Sequence, residues 1–424
     1  MASLPHEIKR LIFDSADIHT IKALRLVSSS WASIGLEVLL LPTFVIKSPA
    51  VDFQRLVDIG NHYNTAQQAA KTINTLEFRD NEYDPTYLRH VLCSRHVQVS
   101  DYERVDFVPS QSEQASLDEI DAVIELRKLE NKVLSHGYLR QAFGTVPRLH
   151  TIKFTSPNPF QQHLLRKVWD EYNLTAYRTI RRGPGYLKLS HIFSVINGIR
   201  GLNVEHFTHE LCTPTSLQFD IRRRESAWLH GLRIVNLTIN NVRGPRDWAI
   251  NPSISLSDLF ITNLNLEELS LKFESLERIP LDFLPTDKQG CLKTLSLATV
   301  AIEPTSFLSF LSFNSSSLKR LSIANSEMAD QQFTWQGFLE QIRAADLKLE
   351  KFQLSGMIRS ETEVWLQWPI YDADWKPFES GTFVGKRTKV EVSSERTQQI
   401  EDFLLGKGNW PGEYTPDLAL PMIT

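Results

Sequence analysis

The sequence predicts an α/β chain in which a short helical module precedes an irregular solenoid of strand-and-helix units, with a parallel sheet on the inner curve and helices outside. Three observations carry this reading. The segments LEELSL (Leu266 to Leu271), LKTLSL (Leu292 to Leu297) and LKRLSI (Leu318 to Ile323) recur every 26 residues. Segments with helical apolar spacing, PTSFLSFLSF from Pro304 and FTWQGFLEQIRAA from Phe333, alternate with them. The opening stretch LPHEIKRLIFDSADIHTIKALRLVSSSWASI, Leu4 to Ile34, is too apolar for a solvated arm and too short to bury itself.

That stretch reads as two or three short helices. Pro5 suits a first turn, where a missing N–H costs nothing, and Ile8, Leu11 and Ile12 then fall on one side. A second helix begins near Asp17, whose carboxylate can cap free N–H groups, and runs through Ile21, Leu24, Val27, Trp31 and Ile34. Ile18, Leu26 and Leu36 to Leu41 add apolar surface off that stripe. The module therefore needs a partner, either the rest of its own chain, which it would cap, or another protein.

The repeats follow. In each copy the apolar residues stand at positions one, four and six, and the last two share one side of a strand because strand side chains alternate. A fourth copy, LEKFQL from Leu349, comes 31 residues after the third, and looser ones are LRIVNL from Leu232, IRGLNV from Ile199, LHTIKF from Leu149 and INTLEF from Ile73. The alternate residues face away from the helices in three rows: Glu268, Thr294, Arg320 and Lys351; Ser270, Ser296, Ser322 and Gln353; Lys272, Ala298, Ala324 and Ser355. The expected boundaries are a helical module over 1–46, the solenoid over 47–360 with insertions at about 80–145 and 155–198, and a C-terminal cap over 361–424. In the first insertion VPSQSEQAS reads as a mobile loop, and Ser116 with Glu119 reads as the capping box of a long helix. In the cap Trp365, Trp368 and Trp375, beside Asp372 and Asp374, cover the apolar edge of the last unit.

At 424 residues the chain exceeds one ordinary compact domain. A net charge of −4 gives no global attraction to nucleic acid or anionic membrane. The longest apolar run, VLLLPTFVI, is about half a membrane-spanning helix and contains Pro42. Charged residues interrupt the start, so no signal peptide is read there. Cys93, Cys212 and Cys291 lack paired spacing, which suits a reducing compartment, cytoplasm or nucleus. His206, His209 and Cys212 stand three apart, a spacing that brings ligands onto one face of a helix, but no fourth ligand is evident and no metal is expected. The basic clusters at Arg178, Arg181 and Arg182 and at Arg222 to Arg224 read as solvated charge, with a grip on an acidic motif as the alternative. No phosphate-binding loop, hydrolase elbow, zinc-protease motif or dinucleotide fingerprint occurs, so neither catalysis nor a cofactor is expected.

The opening stretch resembles the F-box, the helical module with which substrate receptors of cullin-type ubiquitin ligases dock on a Skp-family adaptor. The resemblance rests on Leu4 and Pro5 with Glu7 and Ile8, on Ile12, Ile21, Leu24, Val27 and Trp31, and above all on LRLVSSSW; Ala16 stands where a larger aliphatic is usual. The repeats resemble degenerate leucine-rich repeats, with only Asn240 at the ninth position where that pattern has Asn or Cys. The layout is similar to that of fungal F-box proteins. It implies a non-catalytic receptor: Leu4, Pro5, Ile8, Ile12, Ile21, Leu24, Val27 and Trp31 would meet the adaptor, and through it cullin. Thr294, Ser296, Arg320, Ser322, Lys351 and Gln353 would meet a substrate protein, with Arg320 and Lys351 under its acidic end. The alternative is a solenoid scaffold that works outside a ligase.

Overall fold

The computed structural model describes residues 4–40, 42–61, 70–79, 89, 93, 109–134, 137–155, 189–212, 231–240, 265–274, 279–281, 283–285, 290–329, 334–345, 347–359, 365–368, 389–391 and 394–411. The chain divides into two units, Met1–Gly231 with Val242–Trp248, and Leu232–Asn241 with Ala249–Thr424. Both are α/β. Among the described residues no helix is long and apolar enough to cross a membrane.

The first unit opens with helices α1 (His6–Asp14), α2 (Ile18–Leu24) and α3 (Ser29–Leu40). Strands β1 (Thr43–Ile46), β2 (Thr75–Arg79), β3 (Thr151–Thr155) and β4 (His206–Cys212) pair in parallel in that order. Residues 43–46, expected to end the helical module, thus form the first strand of the sheet. Helix α4 (Pro49–Asn61) follows β1, α5 (Gln111–Leu134) and α6 (Tyr138–Gly144) precede β3, and α7 (Leu189–Asn197) precedes β4. The core lies between sheet and helices: Phe44, Ile46, Leu76, Phe78, Ile152, Phe154 and Phe207 are buried, as are Phe53 and Leu56 of α4, Leu139 and Phe143 of α6, and Ile192 and Phe193 of α7.

Two expectations shift here. The long helix starts at Gln111, inside the stretch read as a loop, because Ser110 and Glu113 close the box first: the Ser110 amide donates to the Glu113 carboxylate at 2.8 Å. Ser116 is instead buried within the helix, and its Oγ–H donates to the Ser112 carbonyl at 3.1 Å. The strand expected at IRGLNV lies five residues later, since Ile152 pairs with Phe207 and Phe154 with His209. His209 holds the sixth, apolar position of that unit, which hid it from a hydrophobic pattern.

In the second unit β5 (Ile234–Asn240), β6 (Glu268–Glu274), β8 (Thr294–Ala298), β10 (Arg320–Ala324) and β12 (Lys351–Arg359) run parallel, β13 (Trp365–Trp368) joins β12 antiparallel, and β14 (Lys389–Glu391) joins β13. A smaller parallel sheet holds β7 (Ile279–Pro280), β9 (Val300–Ile302) and β11 (Glu327–Met328). Helix α8 (Pro304–Phe313) is capped by Glu303, which accepts from the Thr305 and Ser306 amides, and α9 (Trp335–Ala344) by Thr334, which accepts from the Gly337 amide. They bury Phe307, Phe310 and Leu311, and Phe338, Leu339 and Ile342. Helix α10 (Ser394–Leu404) packs on β12 and α9, where Arg343 donates to the carbonyls of Phe403 and Gly408 at 2.7 and 2.8 Å. Trp375, Asp372 and Asp374 lie outside the described residues, as do Arg178, Arg181, Arg182 and Arg222 to Arg224.

One backbone device recurs at the start of the strands. A single carbonyl of one unit accepts two successive amides of the next: Pro42 takes Asn74 and Thr75, Asn74 takes His150 and Thr151, and His150 takes Glu205 and His206. In the second unit Arg233 takes Glu267 and Glu268, Glu267 takes Lys293 and Thr294, Lys293 takes Lys319 and Arg320, and Lys319 takes Glu350 and Lys351. The register of the copies is therefore held by peptide groups.

Candidate functional site

Two surfaces arise from these elements. The first is the N-terminal helical module. Asp17 caps the start of α2 as expected, accepting from the amides of His19 and Thr20 at 2.8 and 2.9 Å. The Thr20 amide above all, then its hydroxyl, holds that carboxyl below its ordinary range. The single helix expected from Asp17 to Ile34 is broken after Leu24; α3 begins anew after Ser28, whose Oγ accepts from the Trp31 amide at 3.4 Å. The break lets α1 and α2 both lie against α3.

Their contact makes a small core of Phe13, Ile21 and Ile34, with Ala16, Leu24, Trp31 and Val38 packed on it. The Phe13 and Trp31 rings meet at 5.6 Å. Gly35 permits this closeness, since a Cβ there would strike the Phe13 ring and the Arg25 stem. Lys9 is buried and donates to Ser30 Oγ at 2.8 Å. Ile21, Leu24 and Trp31, expected at the adaptor surface, thus serve the module's own interior, because three short helices need a centre before they can present an outside.

The other expected contact residues are on that outside. Leu4, Pro5, Ile8, Ile12 and Val27 are exposed. So are two residues not named among the adaptor contacts, Leu11 on α1 and Leu26 in the turn before α3; Leu26 is 88% exposed and Val27 65%. The spacing of Ile8, Leu11 and Ile12 had marked one apolar side of α1, and that side faces out, while Phe13 and the buried Lys9 turn inward.

The second surface is the open face of the sheet in the second unit. The aligned rows stand side by side: Glu268, Thr294, Arg320 and Lys351 are in register, then Ser270, Ser296, Ser322 and Gln353. Arg320 and Lys351 are exposed, and Thr294, Ser296, Ser322 and Gln353 half-buried. The third row differs from expectation: Ala298, Ala324 and Ser355 are buried. Each precedes a left-handed residue, Thr299 (φ 61°), Asn325 (φ 47°) and Gly356 (φ 72°); Ala298 and Ala324 are the last residues of their strands, while β12 runs on through Gly356. The Thr299 amide donates to the Ala324 carbonyl and the Asn325 amide to that of Ser355.

The electrostatics of the first row also differ. Arg320 reaches back across its neighbour, donating from Nε to Thr294 Oγ1 at 3.0 Å and from Nη2 to Glu268 Oε1 at 3.2 Å. The pair is a surface one, with the Arg320 side chain 54% exposed, so it tethers the guanidinium across the row without burying its charge. Lys351 acts instead on Glu401 of α10. Along the start of the strands Glu267 is bracketed by Lys293 at 2.8 Å and Arg233 at 2.6 Å, and these two hydrogen bonds, Lys293's first, hold its carboxyl below the ordinary range.

His206, His209 and Cys212 fall on a strand, not a helix, so the two imidazoles, three residues apart, point to opposite faces. His209 stacks on Phe154 with ring centres 4.9 Å apart, and loss of water there pushes its pKa down to about 3. Among the described residues no group of three or more His, Cys, Asp or Glu is placed to hold a metal.

No protein-family model matches the sequence, and no curated protein matches it.

Proposed function

We propose that this chain is a non-catalytic substrate receptor of a cullin-type ubiquitin ligase, docking through its N-terminal helices on a Skp-family adaptor and holding a substrate protein on its sheet face. The observation that carries the reading is the helical module, which has a core of its own and still exposes Leu4, Ile8, Leu11, Ile12, Leu26 and Val27. Fully burying one such side chain contributes about 1.5–3 kcal/mol, so a surface of this kind gains most by meeting a second apolar surface. The resemblance to the F-box supplies the identity of that partner. The mechanism needs no bond chemistry in this chain: a substrate held beside a charged ubiquitin-conjugating enzyme reacts at a raised effective concentration. On the sheet face the small row of Ser270, Ser296 and Ser322 lets an extended segment approach, with Thr294 and Gln353 as hydrogen-bonding neighbours and Arg320 and Lys351 as exposed cations.

The test is adaptor binding by the full chain. Ile8→Glu and Val27→Glu change exposed side chains and are expected to weaken binding by at least about a hundredfold, with a melting temperature within about 2 °C of the parent. Trp31→Ala is expected to lower both, because it opens the module's core. Undiminished binding by the two Glu variants, or no adaptor binding by the parent chain, would leave a scaffold that works outside a ligase.

A further inference from the structure

Arg25 closes α2 and is followed by the exposed pair Leu26 and Val27, yet the stem of its own side chain turns inward. It lies against Gly35 of α3, where an added Cβ would strike it. The residue is half-buried, its Nε is covered without a hydrogen-bond partner, and no carboxylate among the described residues pairs with its guanidinium. Other covered cations of the chain are given acceptors. Lys9 in the same module donates to Ser30 Oγ at 2.8 Å. In the second unit the half-buried Arg343 donates to the Phe403 and Gly408 carbonyls, and Arg396 to that of Pro411. A guanidinium has five N–H donors, and covering one edge of it without an acceptor is unfavourable for the chain on its own.

The position of Arg25 says what completes it. A protein that covers Leu26 and Val27 comes within reach of the residue next to them, and with Nε covered the two Nη nitrogens are the end of the fork it can meet. We infer that Arg25 is a specificity-determining residue of the docking surface, its Nη groups donating two hydrogen bonds to one carboxylate of the adaptor. The inference rests on the proposed receptor reading and adds to it the chemistry of one contact. Exposed apolar side chains such as Ile8 and Val27 hold any apolar surface of the right shape, whereas a planar fork selects a carboxylate. Docking also withdraws water from the guanidinium, so an otherwise similar surface that brings no carboxylate leaves the charge unanswered and is rejected.

Binding of the full chain to a Skp-family adaptor, measured over a salt series, tests it. Arg25→Met keeps an aliphatic stem over Gly35 and removes the charge; it is expected to weaken binding about tenfold to a hundredfold, to flatten the salt dependence and to leave the melt unchanged. Arg25→Lys, which keeps stem and charge but lacks the fork, should fall between. Arg25→Glu should bind least, and one Asp→Arg or Glu→Arg variant of the adaptor should restore its binding while weakening that of the parent chain. A parent chain that binds no adaptor overturns the receptor reading and this contact with it. A parent that binds, beside an Arg25→Met chain with the same affinity and salt dependence, overturns the contact alone. So does a loss of binding that only follows a lowered melt, or an Arg25→Glu chain that no charge reversal on the adaptor restores.

Discussion

The two units build the same kind of parallel sheet with different interiors. In the first, one inward row reads Ile46, Phe78, Phe154 and His209, and Phe78 stacks on Phe154 at 4.6 Å as Phe154 does on His209. In the second, the comparable row is aliphatic: Leu237, Leu271, Leu297, Ile323 and Leu354. The strand backbone tolerates either filling, and the filling decides how a unit responds to pH. A half-buried imidazole ends the aromatic row, its pKa pushed down by loss of water against the Phe154 ring. Among the described residues of the second unit Glu401 is half-buried, its Oε1 is buried with no hydrogen-bond partner among them, and burial pushes its carboxyl up to about 7, against the pull of Lys351.

Truncating the rows breaks the comparison most strongly. Phe154→Ala is expected to cost about 3–5 kcal/mol and Leu297→Ala about 2–5, the larger figure going with the larger void. Hydrogen exchange followed peptide by peptide should show loss of protection centred on β2 to β4 in the first case and on β6 to β10 in the second; uniform loss in both would mean the interiors are not separable.

The pH responses should then carry opposite signs. For His209 the folded pKa lies below the ordinary value of 6.5, so its contribution is complete above about pH 6.5 and falls as pH drops toward about 3, by at most about 1.4 kcal/mol per pH unit. For Glu401 the folded value lies above the ordinary 4.5, so stability is highest below about pH 4.5 and declines as pH rises toward about 7. Denaturant melts between pH 4 and 7 should lose the acid-side weakness in His209→Phe and the neutral-side weakness in Glu401→Gln. The same pH profile for parent and variant in either case would show that the group stays solvated.

The smallest effect belongs to the face. Arg320→Ala removes a surface ion pair and one hydrogen bond, and its melt should shift by no more than about 1 kcal/mol. If the Arg320 tether limits the face, the same substitution frees Glu268 and makes the row acidic, which a retained affinity for basic peptides would register.

The strand cores of the second unit were legible because three copies at one spacing leave a single alignment, and that alignment is the register of the sheet. The fourth strand of the first unit was not, since His209 occupies its apolar position and Ile199, Leu202 and Val204 offer the right spacing in the turn after α7. In the N-terminal module the apolar residues were legible but their direction was not: Ile8, Leu11 and Ile12 out, Phe13 in. A helical period shows that a face exists, while only the crossing of α3 decides which side is covered. Likewise Arg320 was visible as a cation, but its reach over Thr294 to Glu268 depends on residues 52 apart in sequence coming to lie on strands separated by a single intervening one.

The doubled amide bonds at the start of the strands have a consequence for inheritance. Because each carbonyl recognises two backbone N–H groups and no side chain, the joint between units is indifferent to which residue occupies it: Pro42, Asn74, His150, Arg233, Glu267, Lys293 and Lys319 all perform the same task. Lengthening the segment between two strands costs only a logarithmic increment of chain entropy. Such a chain can lose its letters and stretch its spacing while keeping its architecture, so descendants of one ancestor drift beyond textual likeness long before they stop folding alike.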